Sequence, residues 1–242
     1  MAALSGVTLI LIGLPVAGLV LPATSGLRLA RALDEIGRTM GNTAWYGGLA
    51  AVTAISLGAT AAICTGRQPR LAALLMAGLA VVFVLPPALG ALGLVGAASK
   101  APHALDPLLR GRFALGVWLG LRLFPLATIL LMRRLGESTP SWAQAAAVHG
   151  MPLPVYATRV LLPWLAPAAL VSATVVALLG IADVSSALLL HPPGDASLPL
   201  AIFSVMANAP ESLVASLCLA YLGGAALVLA MASWFYRGRL KS

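Results

Sequence analysis

The sequence predicts an all-α, polytopic membrane protein with about six transmembrane helices and one short helix on a connecting loop. Three observations carry that prediction. Apolar residues make up 60% of the 242 residues and charged residues only 9%, at a mean hydropathy of +0.98. Soluble domains usually hold apolar residues near half and charged ones near a quarter. The apolar residues come in long runs rather than in alternation, which argues for helices over a barrel. Many basic residues gather at the ends of those runs, as the flanking charges of membrane spans do. The net charge of +8 is therefore a signal of orientation, not of nucleic-acid binding. Residues 1–242 read as a single transmembrane domain.

The first span is expected at about 4–23, long enough to cross about 30 Å of hydrocarbon. No basic n-region precedes it, so it reads as a retained span rather than a cleaved signal. Residues 24–42 carry Arg28, Arg31, Asp34, Glu35 and Arg38. Leu27, Leu29, Leu33 and Ile36 among them suggest a short interfacial amphipathic helix. The second span is expected at about 43–65, followed by Arg67 and Arg70. The third, about 71–97, contains Pro86 and Pro87, which should kink or break it. A polar loop at 98–112 precedes the fourth span, about 113–132, which ends on Arg133 and Arg134. The fifth span is expected at about 164–190, a loop at 191–212, and the sixth span at about 213–236.

Six spans put both termini on one side. If that side is cytoplasmic, it holds Arg67, Arg70, Arg133, Arg134, Arg159, Arg237, Arg239 and Lys241, eight basic residues. The opposite side holds six: Arg28, Arg31, Arg38, Lys100, Arg110 and Arg112. The bias, concentrated at span ends, favours cytoplasmic termini. Cys64 and Cys218 then lie near opposite faces, so no disulfide within the chain is expected.

The connection at 138–163 continues neither of its apolar neighbours. Pro140, Gly150, Pro152, Pro154 and Pro163 punctuate it, and Arg159 adds a charge. Proline is pre-organised for the first helical position, with Ser138 or Thr139 as a cap. Ser141 with Gln144 is a second candidate, at capping-box spacing. The alanine-rich stretch favours a short helix at about 140–149. Gly150 offers a left-handed position after it, and Pro152 stops any continuation.

The punctuation resembles the cytoplasmic coupling loop of importer-type ABC transporter permeases. That loop reads Glu-Ala-Ala, three residues, Gly, nine residues, Ile-x-Leu-Pro. Gln144, Ala145 and Ala146 take the first places, Gly150 the glycine, and Val160, Leu162 and Pro163 the end. Gln144 departs from the acidic residue and Val160 from isoleucine. The resemblance spans about 43–236 and is most specific in this loop. It implies a cell-membrane (inner-membrane) permease subunit that forms the solute path and docks this loop on a cytoplasmic ABC ATPase dimer. It also implies a second permease subunit, a homodimer mate or a sister chain, and an extracytoplasmic substrate-binding protein. The stretch from Asp183 to Leu200 looks like the ferric-iron and thiamine permeases, which suggests those or related small solutes.

Chemistry within the chain is sparse. Lys100 and Lys241 are the only lysines, and neither sits in a phosphate-loop pattern. Any ATPase must be another polypeptide. Paired carboxylates, a Ser-His-Asp set and metal-site spacing around His103, His149 and His191 are all missing, so no enzyme, cofactor or metal site is expected. Arg122 and Asp183 fall inside expected spans, where a charge costs about 2.5–3.5 kcal/mol and usually faces a partner or a cavity. Rise per residue puts them at similar depth, about 14 and 11 Å from the outer ends of their spans. The candidate pair reads either as a structural tie between helices or as part of a solute path. Gly116 and Gly120 form a GxxxG pattern, but 24 glycines make a chance match the expectation. Two other classes remain: a stand-alone ion-coupled secondary transporter, and a non-transporting membrane assembly protein. The first normally shows internal repeats, and no convincing repeat relates 1–120 to 121–242.

Overall fold

The computed structural model describes residues 13–23, 29–65, 68–138 and 140–240. Every regular element among them is helical. In order they are α1 (Gly13–Ala23), α2 (Leu29–Thr65), α3 (Pro69–Val84), α4 (Pro87–Lys100), α5 (Asp106–Leu109) and α6 (Arg112–Gly136). Then follow α7 (Pro140–Val148), α8 (Leu153–Tyr156), α9 (Leu162–Ile181), α10 (Val184–Leu190), α11 (Leu198–Val205) and α12 (Glu211–Leu240). Four stretches are long and apolar enough to cross a membrane: Ile36–Thr65, Arg112–Gly136, Pro154–Ile181 and Glu211–Tyr236.

The expected six spans thus become four among the described residues, or five if α3 and α4 count as one broken span. Residues 4–12 of the expected first span lie outside the described residues, and α1 alone, about 16 Å long, is too short to cross. The expected third span, 71–97, bends by 91° between Val84 and Pro87. Consecutive prolines remove two amide donors, and Leu85 and Pro86 take extended backbone, with ψ of 126° and 132°. The expected fifth span, 164–190, ends at Ile181. There the Asp183 side chain accepts the Ser186 amide at 3.1 Å and starts α10 as its N-cap. The loop expected at 191–212 holds α11, and the one at 98–112 holds α5.

The interfacial helix expected at 24–42 is not separate, since α2 runs from Leu29 without a break into the second span. That stretch holds no proline to end a helix. The Thr43 hydroxyl donates back to the Thr39 carbonyl at 2.8 Å, which keeps it satisfied inside the helix.

Helices α2, α6 and α9 form the centre of the bundle, with Tyr46, Ala50, Leu119, Leu123 and Val176 in one buried cluster. The GxxxG pattern proves to be a packing face rather than a chance match. A Cβ at Gly116 would lie 2.7 Å from Leu49, and one at Gly120 would lie 2.6 Å from Thr53 and 2.8 Å from the Ala50 carbonyl. Without side chains at those two positions, α6 can press directly on α2.

A polar seam ties the chain together at one end of the bundle. Tyr46 Oη donates to the Asp195 carbonyl at 2.9 Å, Asn42 Nδ2 to the Ala196 carbonyl at 3.2 Å, and the Leu198 amide to Thr43 Oγ1 at 2.8 Å. Arg112 joins the seam through Asn42 and through Asp195, whose Oδ2 is 3.3 Å away. At the other end a second apolar cluster, including Ala62, Leu131, Leu135, Tyr156 and Leu165, receives the loop between α6 and α9.

Candidate functional site

The loop between α6 and α9 folds because its punctuation is obeyed. Pro140 is the first residue of α7, so Ser141 lies inside the helix and not at its cap. Thr139, the other capping candidate, lies outside the described residues. Gly150 sits at φ +66°, a region open to glycine at no steric cost. The Gly150 amide donates to the Ala147 carbonyl at 3.0 Å and the Met151 amide to the Ala146 carbonyl at 2.9 Å. Those two bonds are the Schellman closure of a helix end. The chain then restarts at Leu153 and passes through a π-helical turn, Ala157–Leu161, into α9. In that turn the Leu162 amide reaches the Ala157 carbonyl, five residues back. Pro163 brings no amide, and its ring crowds the carbonyl four residues before it. A widened turn at that point relieves the crowding.

Between α7 and the start of α9 lies an open cleft of about 660 Å³. One wall is Trp142, Ala145, Ala146 and His149, and the other is Tyr156, Arg159, Val160, Pro163 and Trp164, with Met151 at the turn. Trp142 meets Trp164 edge to face, with ring centroids 5.0 Å apart. The Arg134 guanidinium lies 3.8 Å from the Trp164 ring centroid, and Trp164 Nε1 donates to the Arg134 carbonyl at 3.3 Å. Arg134 also pairs with Glu137 at 2.7 Å. Aromatic and cation–π contacts of this kind each contribute about 0.5–1.5 kcal/mol. Trp142 therefore pins α7 to the end of α6 and the start of α9. The opposite side of α7 is left bare: Gln144, Ala147 and Val148 are exposed, Val148 by 84%.

Of the residues singled out from the sequence, Ala145, Ala146, Val160 and Pro163 line the cleft. Gln144 points away from it, Leu162 is 45% exposed, and Gly150 makes the turn. Trp142, Trp164, Arg134 and Met151 were not anticipated. A signal exists for Trp142 and for the two walls of the cleft, though not for Trp164, Arg134 or Met151. Trp142, Ala145, Ala146 and His149 follow i, i+3, i+4, i+7 spacing, as do Tyr156, Arg159, Val160 and Pro163, which places each set on one helix face.

Arg122 and Asp183 are brought together. Arg122 Nη1 donates to Asp183 Oδ2 at 2.7 Å, with the side chains 20% and 5% exposed. The same carboxylate oxygen accepts Ser186 Oγ at 2.7 Å, and Oδ1 takes the Ser186 amide at 3.1 Å. Trp118 Nε1 completes the chain on Ser186 Oγ at 3.1 Å. Both carboxylate oxygens are thus engaged, which ties α6 to α10, while Arg122 Nε is buried with no partner among the described residues. Arg122 lies about 15 Å along α6 from Arg112, well inside that span.

No protein-family model matches the chain, and no curated protein matches it.

Proposed function

We propose that the chain is the permease subunit of an ABC importer, with α7 as the helix that docks on a separate cytoplasmic ATPase. In this reading the α6–α9 loop and the end of α12 are cytoplasmic, since Pro154–Ile181 and Glu211–Tyr236 lead out and back. A second permease subunit and an extracytoplasmic binding protein complete the complex. The solute is ferric iron, thiamine or a related small molecule. One observation supports the reading above the others. A nine-residue helix on a membrane bundle is braced by a tryptophan pair, closed by a left-handed glycine, and leaves Val148 84% exposed. An unburied apolar side chain on a braced knob is what a partner's pocket receives. The permease itself contributes alternating access. ATP binding on the partner shifts its population between inward-open and outward-open states. The Arg122–Asp183–Ser186 contacts act in this reading as a tie between α6 and α10.

The test is co-purification with the ATPase, read beside uptake in reconstituted vesicles. Nothing lies within 4 Å of a Cβ built at Gly150, so a substitution there acts through the backbone alone. Gly150→Val should strain the turn by about 1 kcal/mol or more, keep membrane insertion near normal, and lose both ATPase binding and uptake. Gly150→Asn, which tolerates the left-handed region, should keep most of both. Full binding and uptake in Gly150→Val would remove α7 as the docking element.

A further inference from the structure

A cleft of about 260 Å³ opens between the ends of α6, α9 and α12, on the same end of the bundle as α7. Arg133 and Arg134 of α6, Glu137 just after it and Tyr236 of α12 line its polar part, and Pro167 and Val171 of α9 its apolar part. The charges are unequally committed. Glu137 holds Arg134 at 2.7 Å, and the Trp164 ring lies beneath that same guanidinium. Arg133 makes no hydrogen bond or ion pair with any described residue, and neither does the Tyr236 hydroxyl. Among the described side chains the cleft therefore presents one cation without an ion-pair partner and one free phenol beside an apolar wall. Trp234 and Phe235, both exposed and 5.1 Å apart edge to face, mark the same stretch of α12. Exposed aromatics at a span end are characteristic of the membrane–water boundary.

A small soluble anion would use the cation and leave the apolar wall idle. An amphipathic anion uses both. We propose that this cleft binds an anionic phospholipid, with the phosphodiester on Arg133 and Tyr236 and an acyl chain along Pro167 and Val171. One negative phosphodiester matches the one guanidinium left unpaired among the described side chains of the cleft. Basic pockets between helices near a membrane surface hold such headgroups. The inference stands apart from the importer reading, because it needs neither an ATPase nor a solute.

The experiment reconstitutes the full chain in vesicles of equal phosphatidylcholine and phosphatidylglycerol. The protein is then extracted in mild detergent and its retained phospholipid quantified. Phosphatidylglycerol should be retained about fivefold over phosphatidylcholine, the preference that one basic contact near the surface provides. Arg133→Gln should bring the ratio near parity, and Arg133→Lys should keep most of the preference. Arg70→Gln, an exposed arginine at the start of α3 away from the cleft, should leave the ratio unchanged. Parity in the unmodified chain, or full preference in Arg133→Gln, would overturn the proposal. So would an equal loss in Arg70→Gln, which would mean a diffuse basic surface. Displacement of phosphatidylglycerol by millimolar inorganic phosphate would assign the cleft to a soluble anion instead.

Discussion

A single ion pair shows how far residue chemistry constrains this chain. Arg122 and Asp183 are 61 positions apart, yet each is too costly to leave alone at its depth. Removing one member of such a pair typically costs about 3–5 kcal/mol, more than removing both. Arg122→Leu or Asp183→Asn should each lower the amount of folded protein in the membrane. The double substitution should recover part of that loss, less whatever α10 forfeits with its N-cap. Fluorescence-detected size exclusion of each variant measures this, and additive losses would show that the two side chains do not interact. The pairing could be anticipated because rise per residue converts sequence position into depth. The cap was missed although signals for it exist: Gly180 precedes Asp183, a preferred N-cap residue, and Ser185 and Ser186 follow it, so the apolar run is interrupted there. Gly150 was the opposite case, flanked by Pro140 and Pro152 so that the turn was plain.

At the level of elements, boundaries set by proline were legible and those set by contacts were not. Pro86 and Pro87 announce the 91° bend between α3 and α4, although not its size. The tie of Trp142 to Trp164 depends on how α7 folds back, which no local pattern states. The packing of α6 on α2 was undervalued for a related reason. A GxxxG spacing in a glycine-rich chain has meaning only once a facing backbone is known. Gly120→Leu tests that contact. Its side chain would have to displace Thr53 and the Ala50 carbonyl, and overpacking of that kind costs about 1–3 kcal/mol. Thermal unfolding in detergent should move to lower temperature. The same change at Gly136, where a Cβ meets nothing within 4 Å, should leave it unchanged.

For the whole molecule, composition alone made the class plain, and the described helices agree with a membrane protein. The number of spans was less accessible. Hydropathy counts apolar length and cannot tell a crossing helix from two that meet at an angle or from short helices folded against the bundle. Orientation rests on the arginines at span ends. In a background carrying Cys64→Ser and Cys218→Ser, cysteines placed at Gln144 and at Pro193, both exposed, should react on opposite sides of the membrane. An impermeant thiol reagent applied to intact cells should label Pro193→Cys and spare Gln144→Cys. Labelling of both from outside would reject the proposed orientation.

The distance in sequence between Arg122 and Asp183 also has a meaning in time. A ribosome adds about 5–20 residues per second, so roughly 3–12 s separate the synthesis of the arginine from that of its carboxylate. For most of that interval α6 is complete and Asp183 does not yet exist. A long cationic side chain can turn its head toward water in the meantime. Neutralisation by Asp183 has to wait until α9 and the first turn of α10 have been made. The tie between α6 and α10 is therefore a late contact in synthesis, closed only after both of its helices have been made.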